Sequence, residues 1–450
     1  MSTSSRNRQI IRERRAGRPL AFALLAAFLA HAGLAKEPSA AEKLAQSVAE
    51  AQKLVEKVRG VPFRGSVASG LLPEKDLARV LEKKLVEDLP TTFDRYADSL
   101  SVIGFFEPDS ELLKKITRLY TRQVAGFYDP AEKKFYIIPE RSFGVSPAVP
   151  LTDVGLEAGS AGAAGLVEET LLAHELTHAL QDRRLDIDRR VKTLKDSTDA
   201  MLALEAFLEG EATVVMTDAL VERLPADARG LLGTDMLTQL MATMGSAGQG
   251  LEGAEGLPEF FVKELIFPYV AGATFIQHIK SRGGWAAVDE AYKRLPDTTS
   301  EILHPGFDAA PRARLGADRP ETRDVPGNAR HLYSDTFGEW MVRTLLERGG
   351  GEASAAASLA AERQDDRVVF FEAKDSKQIG FLWRLKMTSP AAAKKLSEAL
   401  EALYASRAEA ASGARPRVRA MGDVVEVVRG KKLSGPANEA GTAPRKAERR

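Results

Sequence analysis

The sequence of 450 residues contains no cysteine. This absence excludes disulfide bonds, a lipoprotein attachment site and a cysteine nucleophile. The chain also lacks a glycine-rich phosphate loop of the Walker or dinucleotide-binding type, and it lacks a Gly-x-Ser-x-Gly elbow. Beyond residue 35, no stretch of the sequence is long and apolar enough to suggest a membrane span. The sequence therefore does not support thiol chemistry, phosphate binding by a glycine-rich loop, catalysis by a serine in such an elbow, or a membrane span beyond residue 35.

The chain also has no excess of charge of either sign, because 63 basic residues balance 63 acidic ones. Six arginines and one glutamate lie in the first 35 residues, which leaves 57 basic and 62 acidic residues, a net charge of −5, in the rest. A mildly acidic body without a basic stripe interleaved with aromatic residues predicts no nucleic-acid partner. At this length, with 44% hydrophobic residues, the chain can bury a large core and is expected to form two domains.

Residues 1–35 have the pattern of an export signal. The six arginines form a positive n-region, an apolar run follows at 20–30, and Gly33-Leu34-Ala35 places small residues before a cleavage site. A retained anchor is the alternative, but the apolar run is short for a bilayer. The pair Arg14-Arg15 suggests twin-arginine export, which the residues after it do not support. We expect a periplasmic or secreted protein with no stable membrane anchor after cleavage.

The most specific motif is His-Glu-x-x-His at 174–178, inside an uncharged and mostly apolar frame at 171–180. On a helix, His174 and His178 lie one turn apart on the same face, so both imidazoles can bind one zinc ion at roughly 2.0–2.1 Å. Glu175 lies about 100° further round and can face a water molecule as a general base. The alternative is an amphipathic helix with two structural histidines. The apolar frame and an acidic helix downstream favour the metal site.

The helix expected at 197–222 is the source of a third ligand, since catalytic zinc usually takes three protein ligands. Glu205 and Glu209 share a face at i and i+4, whereas Glu211 points away from it. Either carboxylate satisfies the spacing. Gly210 is unusual inside a helix and suggests close approach to the metal helix. Asp182, one turn after His178, either supports that histidine or is solvated at the helix end.

The two segments together resemble the gluzincin branch of zinc metallopeptidases. The motif at 174–178 is followed about thirty residues later by Glu-Gly-Glu-Ala at 209–212, and a related acidic motif supplies the third ligand in that family. The resemblance implies Zn²⁺ held by His174, His178 and Glu209. Thr213 stands where gluzincins often have an aspartate. Resemblance to exported bacterial peptidase-like proteins extends to residues 126–130, 267–269, 283–285 and 302–305.

The function expected from this reading is zinc-assisted hydrolysis of peptide bonds in a peptide or protein substrate, with Glu175 as the catalytic base. Tyr269 and His304 are candidates for stabilising the oxyanion, although a packed aromatic residue and a structural turn histidine are the more common roles. The alternative function is a non-catalytic periplasmic scaffold or chaperone that keeps a zincin-like fold. The sequence does not indicate an oligomeric state.

The predicted fold is α+β: a mainly helical zincin-like domain with a small sheet, followed by a smaller C-terminal α+β unit. The expected boundaries are a signal peptide at 1–35, the catalytic domain at 36–310, a linker at 311–332, the C-terminal unit at 333–430 and a disordered basic tail at 431–450. The metal helix is expected at 166–184, after an irregular loop at 142–165. Further predictions are listed here: a strand at 60–67, a hairpin at 126–138, a helix at 334–347, strands at 367–373 and 379–387, a helix at 390–406 and a strand pair at 417–429.

Overall fold

The computed structural model describes residues 40–87, 89–139, 161–224, 251–306, 313–407 and 415–430. Their α+β organisation, with a helical main part and a C-terminal α+β unit, is the one predicted. The predicted signal peptide, the C-terminal tail and most of the loop at 142–165 lie outside the described residues. None of the described helices combines the length and the apolar character that crossing a membrane requires.

The chain divides into two compact units. The helical unit comprises the described residues within Met1–Ala97, Phe105–Ala310 and Gly338–Met341, and the sheet unit comprises those within Asp98–Gly104, Pro311–Phe337 and Val342–Arg450. The helices that belong wholly or partly to the helical unit are α1 (Ala40–Arg59), α2 (Glu74–Glu87), α3 (Phe93–Ile103), α4 (Leu112–Gln123), α5 (Ala161–Leu185), α6 (Ile187–Lys192), α7 (Thr198–Arg223), α8 (Glu259–Ala291) and α9 (Thr299–Leu303).

The centre of the helical unit consists of α5 and α7, which are apolar on nearly all faces. Helices of this kind are buried in the core of a large domain. The apolar residues of α5 from Leu171 to Leu180 pack with α1 and with the second half of α7 in one cluster. Ser197 begins α7, because its side chain accepts a hydrogen bond from the backbone N–H of Ala200. The helix predicted at 166–184 is confirmed but begins earlier, at Ala161, so the last residues of the predicted loop are helical.

A three-stranded sheet lies beside α5. Its strands β1 (Ala68–Leu71), β2 (Gly126–Asp129) and β3 (Lys134–Ile137) have the order β1-β3-β2. The antiparallel pairing of β2 with β3 confirms the predicted hairpin, and β1 pairs with β3 in parallel. The strand predicted at 60–67 is wrong. Gly60, Arg64 and Gly65 have φ angles of 70°, 53° and 121°, and such left-handed conformations interrupt an extended strand.

The sheet unit contains β4 (Ala329–Asp335), α10 (Gly338–Arg348), α11 (Ala353–Ala361), β5 (Arg363–Ala373), β6 (Ile379–Met387), α12 (Pro390–Ser406), β7 (Arg417–Met421) and β8 (Val424–Arg429). Its antiparallel sheet has the order β4-β5-β6-β8-β7. The strand at 379–387, the helix at 390–406 and the strand pair at 417–429 are confirmed. The strand predicted at 367–373 is present but begins four residues earlier, at Arg363. The helix predicted from residue 334 begins four residues later, because β4 continues to Asp335 and Gly338 has a φ of 82°.

Candidate metal centre

Three side chains from two buried helices converge in the helical unit. His174 and His178 lie one turn apart on α5, and Glu209 lies on α7. One ligand atom from each residue falls within a group whose members are all within 4.8 Å of one another. The structure thus brings together the three ligands that the sequence predicted. The exposed fraction of each residue is at most 5%, so the group is removed from bulk water.

The side-chain nitrogen and oxygen atoms of these three residues lie close together. Glu209 Oε2 lies 3.1 Å from His174 Nε2 and 3.6 Å from His178 Nε2, and the two Nε2 atoms are 3.2 Å apart. Two ligands bound to one zinc ion with tetrahedral geometry lie about 3.4 Å apart. Glu209 Oε1 is buried and has no hydrogen-bond partner among the described residues. A buried carboxylate with one unsatisfied oxygen and two imidazole nitrogens is a donor set that fits a divalent cation.

Gln181 determines which nitrogen of His178 faces this group. The Gln181 amide nitrogen donates to the Leu208 carbonyl at 2.8 Å and to Glu211 Oε2 at 3.0 Å, which fixes the orientation of the amide. Its oxygen is then the acceptor for His178 Nδ1–H at 2.8 Å. With the proton on Nδ1, the lone pair of His178 Nε2 points at His174 and Glu209. A hydrogen bond to the second ring nitrogen is the usual support of a metal-binding histidine.

Glu211 continues this chain of contacts away from His174, His178 and Glu209, which are called the metal group below. It is 1% exposed and forms an ion pair with Arg59 on α1, with 2.7 Å between the guanidinium Nε and Oε1. The Tyr292 hydroxyl donates to Glu211 Oε2, and the Trp285 ring lies 4.4 Å from the Arg59 guanidinium carbon. The sequence indicated only that Glu211 points away from the ligand face. Its partners are 30 to 152 residues distant in sequence, and no local pattern identifies them.

Glu175 lies beside the group and is held by β2. Its Oε2 accepts a hydrogen bond of 2.9 Å from the backbone N–H of Tyr128, and its Oε1 has no hydrogen-bond partner among the described residues. Burial raises the pKa of Glu175 to about 8, and the nearby Glu209 carboxylate adds to this, while His174 and the Tyr128 N–H oppose it. A bound cation would lower this pKa, because its charge favours the carboxylate.

Glu209 has the opposite shift. Burial alone would raise its pKa, but the two histidines more than offset that effect, so the pKa is lowered below the ordinary value of a glutamate. Glu209 is thus a carboxylate rather than a carboxylic acid. Glu205, the alternative third ligand, is half-buried and does not belong to the group.

The remaining candidates are placed differently. Tyr269 is buried inside α8 with its ring stacked on His174, at 6.1 Å between ring centroids and 17° between planes. Burial and the carboxylates of Glu209 and Glu175 raise the pKa of its phenol well above the ordinary value. His304 lies instead 2.7 Å from Glu339 Oε1.

Asp182 is buried, contrary to a solvated helix end, but its partners are not histidines. Its carboxylate accepts hydrogen bonds from the Tyr128 hydroxyl and from the N–H of Ile187, both at 2.8 Å. Lys133 completes the contacts at 3.0 Å. Asp182 thus joins β2, α5 and the start of α6 and keeps Tyr128 beside Glu175.

Comparison with known proteins gives a match to the C-terminal part of the chain. A family model described as a domain of unknown function, DUF8575, matches residues 328–435, the segment that contains β4 to β8. No curated protein and no solved structure matches the chain. The match does not include the residues of the metal group, whose interpretation depends on their geometry.

Proposed function

We propose that this protein is an exported zinc-dependent metallopeptidase that hydrolyses peptide bonds with Glu175 as the general base. The observation that carries the proposal is the convergence of His174, His178 and Glu209, with Glu175 held next to them by the Tyr128 N–H. The resemblance of the two helical segments to gluzincins supports the peptide as substrate. The arginine-rich and then apolar residues 1–35 support a periplasmic or secreted location.

In this proposal His174, His178 and Glu209 hold Zn²⁺, and Gln181 keeps the lone pair of His178 Nε2 directed at the ion. Zinc in such a site lowers the pKa of a water molecule and polarises the scissile carbonyl. The Glu175 carboxylate accepts the proton of the attacking water and transfers it to the leaving amine. Its Oε1 suits this role because Tyr128 holds the other oxygen. Burial of the site strengthens each of these electrostatic interactions.

The first test is elemental analysis of the purified mature chain beside three variants. Near-stoichiometric zinc is expected in the wild type, and loss of zinc is expected in His178→Ala and Glu209→Ala. Glu205→Ala is the matched control, because it removes a carboxylate one turn away on the same helix, and it is expected to retain zinc. The reverse result for the two glutamates would mean that Glu205 is the ligand. No zinc in the wild type after reloading would support a non-catalytic scaffold.

The second test separates catalysis from metal binding. Glu175→Gln is expected to keep zinc and to lose hydrolysis of an unfolded protein substrate such as casein by at least 100-fold, the scale of a general base. Glu259→Gln is the control, since that glutamate is 79% exposed at the start of α8. Unchanged hydrolysis in Glu175→Gln would contradict the proposed mechanism even if the zinc site is correct.

A further inference from the structure

Tyr128 of β2 is hydrogen-bonded to α5 at two points. Its backbone N–H donates to Glu175 Oε2 at 2.9 Å, and its hydroxyl donates to Asp182 Oδ2 at 2.8 Å. Glu175 and Asp182 are seven residues apart, so they lie on the same face of the helix, separated by two turns or about 10.5 Å along its axis. A single residue of the sheet therefore connects the proposed general base to a second carboxylate further along α5.

The backbone contact is possible because β2 lies at the edge of its sheet. Among the described strands only β3 pairs with β2, and Tyr128 lies opposite Phe135 in that pair. Residues of an antiparallel strand alternate between pairs that exchange hydrogen bonds and pairs that do not, and the N–H of Tyr128 is directed at α5 instead of β3. Such an edge N–H needs an acceptor from another element, which Glu175 supplies. The position of the Glu175 carboxylate thus depends on the position of β2.

Asp182 holds the other end of this connection. It is 2% exposed, and its carboxylate contacts the Tyr128 hydroxyl and the Ile187 N–H at 2.8 Å and the Lys133 ammonium at 3.0 Å. Burial and the Asp182 carboxylate raise the pKa of the Tyr128 phenol, so its hydroxyl stays protonated and donates. Hydrogen bonds to an ionised acceptor are roughly twice as strong as those between neutral groups. Because Lys133 lies in the turn between β2 and β3, Asp182 anchors both the strand and its turn to α5.

We propose that Tyr128 and Asp182 are positioning residues for the general base: Asp182 fixes Tyr128, and Tyr128 fixes the Glu175 carboxylate beside the metal group. A glutamate side chain has several rotamers, and a hydrogen-bond donor at a fixed place selects one of them. With Oε2 held by the N–H, Oε1 is the oxygen that receives the proton of the attacking water. The inference rests on the proposed function, because it assigns two further residues to that mechanism.

The first experiment removes only the Tyr128 hydroxyl. Tyr128→Phe keeps the ring and the N–H, and it is expected to lower kcat for casein by about 10–100-fold, the scale for residues that support an active group. KM and the zinc content are expected to stay near the wild-type values. Tyr136→Phe is the matched control, because that hydroxyl bonds to Glu132 within the same hairpin and not to α5. Unchanged kcat in Tyr128→Phe, or equal losses in the two variants, would overturn the proposal.

The second experiment asks whether Asp182 acts through Tyr128. Asp182→Asn keeps the size of the side chain but removes the charge that attracts the hydroxyl. The double variant Tyr128→Phe/Asp182→Asn is expected to lose clearly less kcat than the product of the two single losses, because both substitutions break the same contact. A loss equal to that product would mean that the two residues act independently, which contradicts the proposed connection.

The third experiment does not depend on turnover. Hydrogen exchange of the zinc-loaded protein, followed by mass spectrometry, compares the segment 126–129 with β6 of the sheet unit as reference. Exchange in this segment is expected to be at least tenfold faster in Tyr128→Phe than in the wild type, because the strand loses its anchor on α5. Tyr136→Phe is expected to exchange at the wild-type rate. Slow exchange in Tyr128→Phe would mean that the hydroxyl does not hold β2, and the proposal would fail.

These experiments also separate the inference from the proposed function. Hydrolysis that is equally fast in the wild type and in Tyr128→Phe leaves the metallopeptidase standing and rejects the positioning role. Absence of hydrolysis in the wild type contradicts the proposed function. Faster exchange in Tyr128→Phe would in that case still support the connection from Asp182 through Tyr128 to Glu175.

Discussion

Gly210 of α7 and Gly272 of α8 face each other at a point where the two backbones touch. A Cβ atom on Gly210 would lie 2.2 Å from the carbonyl carbon of Gly272, and one on Gly272 would lie 1.9 Å from the carbonyl oxygen of Ala206. Only glycine permits this approach, and it occurs one residue after Glu209. The sequence suggested close approach at Gly210 but named the metal helix α5 as the partner, which is wrong.

Gly210→Ala is therefore expected to destabilise the protein by about 1–3 kcal/mol, the usual cost of overpacking, despite the better helix propensity of alanine. Urea unfolding followed by circular dichroism measures the change. Gly165→Ala on α5 is the matched control, because a Cβ atom there has no neighbour within 4 Å. That variant is expected to gain about 0.5–1 kcal/mol. Equal stability of the two variants would contradict the close contact.

Gln181→Leu is expected to weaken zinc binding by about 10–100-fold, the range typical of residues that support a metal ligand. The substitution removes the acceptor of His178 Nδ1–H and the donor to Glu211. Competition with a zinc chelator of known affinity measures the loss. Thr177→Val is the control, since its hydroxyl donates to the Ala173 carbonyl of the same helix. If both variants bind zinc as tightly as the wild type, Gln181 has no role in orienting the ligand.

Arg59→Met is expected to lower the free energy of unfolding by about 3–5 kcal/mol, because Glu211 would remain buried without its charge partner. The side chains of this pair are 0% and 1% exposed. In the double variant Arg59→Met/Glu211→Gln the unpaired charge is gone, so part of the loss is expected to return. A double-mutant cycle in urea measures the coupling, which is about 0.5–3 kcal/mol for residues in contact. Additive effects of the two substitutions would contradict the interaction.

The placement of His174, His178 and Glu209 shows which features of the site can be predicted from the sequence. The positions of His174 and His178 follow from helix periodicity, and the choice of Glu209 over Glu205 came from the resemblance to gluzincins. The helices α5, α7 and α12 were also predicted, since the residues that indicate each of them lie within one segment of the sequence.

Contacts between residues that are far apart in the sequence leave no such local pattern. The ion pair of Arg59 with Glu211 joins residues 152 positions apart. The role of Gln181 depends on its contact with Leu208 of α7, and the sequence around Gln181 does not indicate that contact. The strand predicted at 60–67 failed for a local reason: the segment has the appearance of a short strand bounded by glycines, but the left-handed conformation of Arg64 is not visible in the sequence.

Removal of the proposed zinc ion is expected to show how much it stabilises the native state. Ligand binding to the native state alone adds RT ln(1 + [L]/Kd), about 2.7 kcal/mol when free zinc is 100 times Kd. For a chain of 450 residues, whose entropy of unfolding is about 0.9 kcal/mol/K, that corresponds to a fall of roughly 3 °C in the unfolding midpoint after dialysis against EDTA. Calorimetry at one scan rate, before and after chelation, measures the shift, and His178→Ala is expected to show none.

The identity of the proposed ion is tested by adding metals back. Two imidazole nitrogens and one carboxylate suit zinc, whereas calcium and magnesium prefer sites built from oxygen ligands. Zinc is therefore expected to restore the midpoint of the chelated protein, and millimolar calcium or magnesium is expected to leave it unchanged. Full recovery with calcium alone would mean that the stabilising ion lies elsewhere in the chain. In that case the convergence of His174, His178 and Glu209 would need an explanation other than zinc.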